Sequence, residues 1–414
     1  MQELNHRDAQ NVETQHHNNR RFGHGADART QCAWCHHGAL ARRMNDTRTH
    51  NTPLPLGYRM PAEWTTHAAT WLSWPRNTAQ SFRPRYDEVL PSFAEMVRTL
   101  APHETVNINV TDAAMEEEVR QVLLTHKAPL DNVRFQRIPT NEPWCRDHGP
   151  TFVTSQSANR EPRTMNSQSE VRDSRSTIAI VDWDYNAYGK KYPRYDLDDA
   201  VPKRIAQLLG VPLFRPGIVF EGGSIDVNGA GTVLTTEACL LHPNRNPNLT
   251  KAQIEQRLCD YLGVTNVLWL GIGIAGDDTD GHVDDLARFV DPSTVVLAVE
   301  EDPHDENHAP SQDNLQRLRS MKNQDGQSLR VVPLPMPGVV EYKGRRLPAT
   351  YANFYIANGV VLLPTYRHPN DARAQQILQT LFPDRRVVPI DSTAVIWGGG
   401  SFHCLTQQQP AATT

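Results

Sequence analysis

Residues Gly231–Gly271 read GTVLTTEACLLHPNRNPNLTKAQIEQRLCDYLGVTNVLWLG. An apolar run, a turn rich in Pro and Asn, a helix-period segment and a second apolar run follow one another. Apolar residues at i, i+3 and i+4 mark the helix, and short Val/Leu-rich runs mark strands buried on both faces. The same order returns in STVVLAVEEDPHDEN (293–307), NLQRLRSM (314–321) and LRVVPLP (329–335). It returns again in NGVVLLPTYRHPND (358–371), ARAQQILQTLF (372–382) and RRVVPID (385–391). The three copies are anchored at Val233, Val295 and Val360, a spacing of about 60 residues, which is the mark of a repeated supersecondary unit. Two looser copies lie upstream. One comprises ATWLSWP (69–75), YDEVLPSFAEMVRTL (86–100) and TVNINV (105–110); the other comprises DHGPTFV, STIAIVDWD, DDAVPKRIAQLLG and PLFRP between 147 and 216. The fold class predicted is α/β, built from about five such units.

Composition narrows the rest. The 414-residue chain is 38% hydrophobic and 21% charged, so it can bury a sizeable core. A net charge of −5 with no long basic stretch argues against a nucleic-acid partner. No apolar run approaches the roughly 18 residues of a membrane span, and no apolar signal core opens the chain, so a cytoplasmic protein without a membrane partner is expected. Six cysteines spread over this length do not form a disulfide framework. Residues 1–55 are rich in Asn, His, Arg and Thr and are expected to be a disordered extension. They contain CAWCHH (Cys32–His37), whose CxxCH spacing raises haem attachment or zinc against an inert tail. A polar run at 155–176 reads as a loop inserted into a single domain spanning 56–410.

Chemistry gathers where the units open. NEPWCRDHGP (141–150), FEGGSIDVNG (220–229) and GDDTDGHVDD (276–285) each precede a unit, and GGGSFHC (398–404) closes the series. If the units circle a common axis, Asp147, Glu221, His282, Asp284 and Cys404 share one cavity. The 276–285 stretch fails as a calcium loop, because aligning Gly281 with the invariant glycine puts Gly276 and Ala287 at ligand positions. A generic acidic metal site or a solvated acidic turn remain open for it. His282 and Asp284 would point the same way on an extended segment. A thiol, an imidazole and several carboxylates supply a nucleophile, an acid/base and an anionic clamp. Carboxylates crowding a thiol raise its pKa, which suits catalysis only if the substrate brings a cation. A guanidinium is that kind of cation: planar, permanently charged and forked to match carboxylates.

LGYRMPAEW, ATWLSWP, PWCRDHGP, FEGGSIDVNG, DDTDGHVDDLARF and GGGSFHCLTQQQP together resemble the agmatine deiminases, grouped with bacterial peptidylarginine deiminases in the pentein, or guanidino-group modifying, superfamily. The resemblance runs in order over about residues 56–410. It implies a five-bladed α/β propeller with pseudo-five-fold symmetry, mixed sheets and outer helices. It implies Cys404 as the nucleophile, His282 as the general acid/base and Glu221 as the group that orients His282. Asp147 and Asp284 would bind the guanidinium nitrogens. Trp144 would lie against the substrate, or else serve as a packing indole. Gly398–Gly400 would let the backbone turn at the site. No metal or cofactor is implied; the expected partner is a small cationic guanidino substrate, and a homo-oligomer is open. The activity implied is hydrolysis of agmatine to N-carbamoylputrescine and ammonia, feeding polyamine synthesis. Deimination of free or peptidyl arginine, and guanidine binding without catalysis, are the alternatives. Glu142 stands where the family usually has Asp, a departure that could change substrate reach.

Overall fold

The computed structural model describes residues 52–83, 85–155 and 177–412. The 1–51 part of the extension, with CAWCHH, and residues 156–176 of the inserted loop lie outside the described residues. No helix among the described residues is long and apolar enough to cross a membrane.

Five sheets share one plan. Each has a central strand flanked by one antiparallel and one parallel neighbour. The central strands are His67–Ser73, Ile178–Val181, Thr232–Thr236, Thr294–Val299 and Val360–Thr365. Their parallel partners are Thr105–Asn109, Leu213–Phe214, Asn266–Leu270, Arg330–Pro335 and Arg386–Asp391. Parallel neighbours need a long crossover, and each pair encloses a helix: Tyr86–Leu100, Val201–Leu209, Lys251–Leu262, His308–Ser320 and Asn370–Leu381. The antiparallel partners are Thr406–Pro410, Thr151–Ser155, Asp226–Val227, Ala287–Phe289 and Tyr355–Ala357. The first sheet is closed by the last strand of the chain, which brings the C-terminal segment back beside residues 67–73.

Local chemistry explains the units. Thr232–Thr236 and Thr294–Val299 are buried at every position, the reading that their continuous apolar runs suggest. Thr250 and Gln253 form a reciprocal capping box at the start of Lys251–Leu262. Gly263, with φ 69°, ends that helix in the left-handed conformation that glycine adopts at least cost.

The antiparallel strands position the site. A short turn leads into each: Cys145–His148, Gly222–Ser224, Val283–Asp285, the loop through Asn353, and Phe402–Leu405. Neighbouring entries are tied together. Asp226 accepts hydrogen bonds from Phe289 N (2.8 Å) and Arg288 Nε (2.5 Å), joining the third unit to the fourth. Arg146 reaches Gln408 Oε1 (2.6 Å), joining the second to the first.

Candidate active site

The residues at the unit entries meet. Cys404 leaves the turn Phe402–Leu405 with its sulfur 3.5 Å from Asp284 Oδ2, and Asn353 Nδ2 donates to that sulfur at 3.0 Å. His282 Nδ1 lies 3.6 Å from Asp147 Oδ1 and 4.0 Å from Asp284 Oδ1. Its Nε2 lies 3.9 Å from Glu221 Oε2. All five predicted centres are therefore together, and all are buried; Cys404 is 4% exposed and Asp147 6%.

The reason His282 and Asp284 share a face differs from the expectation. The segment is not extended: Val283–Asp285 is a single 3-10 turn that starts at His282. Asp277 holds the preceding loop, accepting from Thr279 N (2.7 Å), Gly281 N (3.0 Å) and His282 N (3.3 Å). Asp280 and Gly281 both take positive φ, 70° and 99°. The acidic loop is thus a backbone brace for His282.

Glycine makes room at two points. A Cβ on Gly223 would stand 2.7 Å from both Asp147 Oδ1 and His282 Nδ1, while its N–H donates to Asp147 at 3.0 Å. Gly399 has φ 101°, and a Cβ on Gly400 would lie 2.9 Å from Cys404 Sγ, so the triple-glycine hinge is required both by conformation and by contact.

Trp144 is buried beside this hinge. Its Nε1 donates to Ser81 Oγ at 2.8 Å, its ring packs on Phe82, and a Cβ at Gly398 would touch it at 2.8 Å. These contacts are those of a packing indole at the wall of the site. Glu142 does not extend into the site: its carboxylate accepts from Gln80 N (2.7 Å), Ser81 N (3.1 Å) and Ser81 Oγ. Glu221 does not hydrogen-bond His282. Its Oε1 accepts from Arg245 Nε at 2.9 Å, and its other oxygen stops at an ion-pair distance from the imidazole.

Several participants escaped the sequence reading. Asn353 Oδ1 accepts from the backbone N–H groups of Ser401 (3.1 Å), His403 (3.1 Å) and Cys404 (3.2 Å), so one amide orients the whole turn that bears the thiol. It sits two residues before its strand, as Cys404 does, and that shared offset is the signal that could have found it. His403 bridges Asp284 Oδ2 (2.6 Å) and Glu63 Oε2 (2.8 Å). Tyr188 OH donates to Asp147 Oδ2 at 2.8 Å.

The electrostatics favour an incoming cation. Burial, followed by Asp284, Asp285 and Asp147, pushes the Cys404 thiol well above its ordinary range. Burial also raises Asp147 to about 6, with Asp284 adding to the shift and His282 opposing it. Burial alone would lower His282, but Asp147, then Cys239 and Glu221, outweigh it and hold the imidazole well above its usual value. Burial would raise Asp284, yet the His403 hydrogen bond keeps it below the ordinary carboxylate range. Among the described residues, Glu221 Oε2, Asp284 Oδ1, Asp285 Oδ2 and both His282 nitrogens are buried without a hydrogen-bond partner. Buried polar atoms are nearly always satisfied, so this concentration marks a place built for a polar ligand.

A mixed α/β repeat that gathers a buried thiol, an imidazole and paired acids defines the class: an enzyme-like site with the groups for nucleophilic and acid/base chemistry. The comparisons then name the family. The chain belongs to the Porphyromonas-type peptidyl-arginine deiminases, whose family model matches residues 59–410. The agmatine deiminase of Ectopseudomonas mendocina is 36% identical over 388 residues, covering 88% of this chain and 99% of that one. The solved agmatine deiminase of Enterococcus faecalis is 33% identical with a TM-score of 0.78, covering 90% of this chain and all of that one. An agmatine deiminase of C. jejuni, solved as a cysteine-to-serine variant with substrate bound, is 29% identical with a TM-score of 0.75, covering 86% and 97%.

Proposed function

We propose that this chain is an agmatine deiminase whose five units circle a common axis as a five-bladed propeller. The observation that carries the reading is the thiol of Cys404 3.5 Å from Asp284 Oδ2, in a buried cluster where Asp284 Oδ1 and Asp285 Oδ2 have no hydrogen-bond partner among the described residues. Agmatine deiminases similar to this chain in sequence and structure support the same substrate.

Asp147 and Asp284 grip the guanidinium from two sides, a match of flat forked donors to carboxylates. The bound cation offsets the acids that hold the thiol proton, and the Cys404 sulfur adds to the central carbon. The proton lost by the thiol leaves through His282 with the departing nitrogen as ammonia. What remains is agmatine less ammonia, joined to sulfur as a thiouronium. His282 then activates a water, the C–S bond breaks, and N-carbamoylputrescine leaves with the thiol restored. Acid/base help of this kind contributes about 10²–10⁴-fold. Glu221, itself held by Arg245, sets the charge behind the imidazole. Asn353 orients the nucleophile's turn and donates to its sulfur.

Agmatine is favoured over free arginine by what the nearby cations already do. Arg146 pairs with Glu63 (3.2 Å), Arg245 with Glu221 (2.9 Å) and Arg288 with Glu63 (2.9 Å) and Asp226 (2.5 Å). A substrate carboxylate would find these three guanidiniums committed. The near-complete burial of the thiol favours a slender small molecule over a peptide. Ammonia release measured side by side with agmatine, arginine and an arginine peptide tests this. The reading requires agmatine to be turned over fastest, and no release from agmatine rejects it.

A further inference from the structure

Cys239 is a buried thiol that the mechanism above does not use. It sits in the helical turn Glu237–Leu240, directly after the central strand Thr232–Thr236. Ligand-capable atoms of Glu221, Cys239 and His282 all lie within 4.8 Å of one another, and all three residues are 0% exposed. Two of these residues present buried atoms with no hydrogen-bond partner: Glu221 Oε2 and the His282 nitrogens, with Oε2 and Nε2 3.9 Å apart. Arg245 ties down the other oxygen of Glu221, which fixes Oε2 toward the imidazole.

We propose that Glu221, Cys239 and His282 form an inhibitory site for a soft divalent cation of the zinc class. A sulfur, an imidazole nitrogen and a carboxylate oxygen are a zinc-type donor set, whereas calcium and magnesium seek six or more oxygens. Tetrahedral zinc places its ligands roughly 3.3–3.7 Å apart, so a shift of a few tenths of an ångström up to about 1 Å closes the triangle. One carboxylate and one thiolate neutralise the dication, which a buried site demands. A second trio, Asp284, Asp285 and Cys404, is also close enough to hold a cation. It is the weaker candidate because Asp284 Oδ2 is taken by His403 and the Cys404 sulfur already receives Asn353. A metal at Glu221, Cys239 and His282 occupies the imidazole that moves protons, so metal binding and turnover exclude each other. The effect on turnover rests on the deiminase reading; the binding itself does not.

The test uses the full chain with Cys32→Ser and Cys35→Ser, so that the two thiols of CAWCHH cannot compete as zinc ligands. Zinc chloride is titrated calorimetrically into this protein, into the same protein with Cys404→Ala, and into each with Cys239→Ser. One equivalent is expected to bind with or without Cys404. Cys239→Ser is expected to weaken it at least about 100-fold, since even outer-shell changes cost about 10–100-fold. Glu221→Gln in the Cys404→Ala protein provides a second variant with the same expected loss if Cys239→Ser does not fold. In parallel, zinc should stop ammonia release from agmatine by the Cys32→Ser, Cys35→Ser protein, and Cys239→Ser should stay active and resist it. Binding unchanged by Cys239→Ser and Glu221→Gln, or abolished by Cys404→Ala, overturns the proposal. Cys239-dependent binding in a protein that releases no ammonia keeps the metal site and rejects the deiminase reading.

Discussion

Two buried acid clusters stand on either side of His403. On one side, Glu63 and Asp226 surround the guanidinium of Arg288, with Arg146 adding a second charge to Glu63. On the other, Asp147, Asp284 and Glu221 surround His282 and Cys404; Arg245 pairs with Glu221, but among the described residues no arginine or lysine pairs with Asp147 or Asp284. Burial opposes ionisation of Glu63, yet Arg288, His403 and Arg146 hold it well below the ordinary range. Burial instead lifts Asp147 to about 6. One cluster carries its own guanidinium and is complete. In the other, Asp147 and Asp284 have no guanidinium partner among the described residues, and the unpartnered Asp284 Oδ1 suits, on the proposed reading, a guanidinium brought by the substrate. The difference teaches that, on the proposed reading, the protein meets the same electrostatic problem twice, once for folding and once for binding.

Removing the resident cation should break the folding half. Arg288→Ala leaves Glu63 and Asp226 buried beside an empty space, which costs about 3–5 kcal/mol. Denaturant unfolding followed by circular dichroism is expected to show that loss, and wild-type stability would erase the distinction between the clusters. The opposite sign is expected on the other side. Asp147 has a folded pKa raised above its unfolded value, so its ionised form opposes folding at pH above about 6. Asp147→Asn should therefore be more stable than the parent at pH 8, by on the order of 1–3 kcal/mol, with the gap closing as pH falls toward 4. The same variant should lose nearly all turnover. A variant that is inactive and also less stable at pH 8 would mean that Asp147 is a structural acid.

Asn353→Ala sharpens the comparison more modestly. It removes the acceptor of three backbone N–H groups and the donor to the Cys404 sulfur. Each buried donor left unmet costs about 1–3 kcal/mol, and kcat should fall roughly 10–100-fold as the turn loosens. Thiol alkylation rates against pH give the specific readout: the curve should move to higher pH when the donor to sulfur is lost. An unchanged curve would leave Asn353 as a packing residue. The smallest effect is on the parent enzyme itself. Its kcat/KM for agmatine should fall about tenfold per pH unit below pH 6, as Asp147 takes up a proton and loses its grip on the cation. A flat profile between pH 5 and 7 would remove Asp147 from binding.

Much of this was legible in the chain. The three anchors Val233, Val295 and Val360 lie in three central strands, and both looser upstream copies are units of the same plan. Long apolar runs and helical periods survive as sequence pattern because whole elements are buried by them. The antiparallel strands were not legible: Asp226–Val227 and Tyr355–Ala357 have two and three residues, too few for alternation to register. The chemical residues next to glycines stood out, while Asn353 sits in YANFYIANG with no such marker. Glu63 and His403 could not be paired from sequence because they are 340 positions apart and meet only through the return of the last strand. The 3-10 turn at His282 was masked by polar residues that equally suit an extended segment.

The central claim is that the acids around Cys404 wait for a guanidinium that the thiol then attacks. Mass spectrometry of the protein quenched in acid during turnover of agmatine tests it most directly. The account predicts an adduct of agmatine less ammonia on the peptide bearing Cys404, absent from Cys404→Ala, whose fold is retained and whose ammonia release is lost. Ammonia released at the parent rate by Cys404→Ala, or an adduct on another residue, would contradict it.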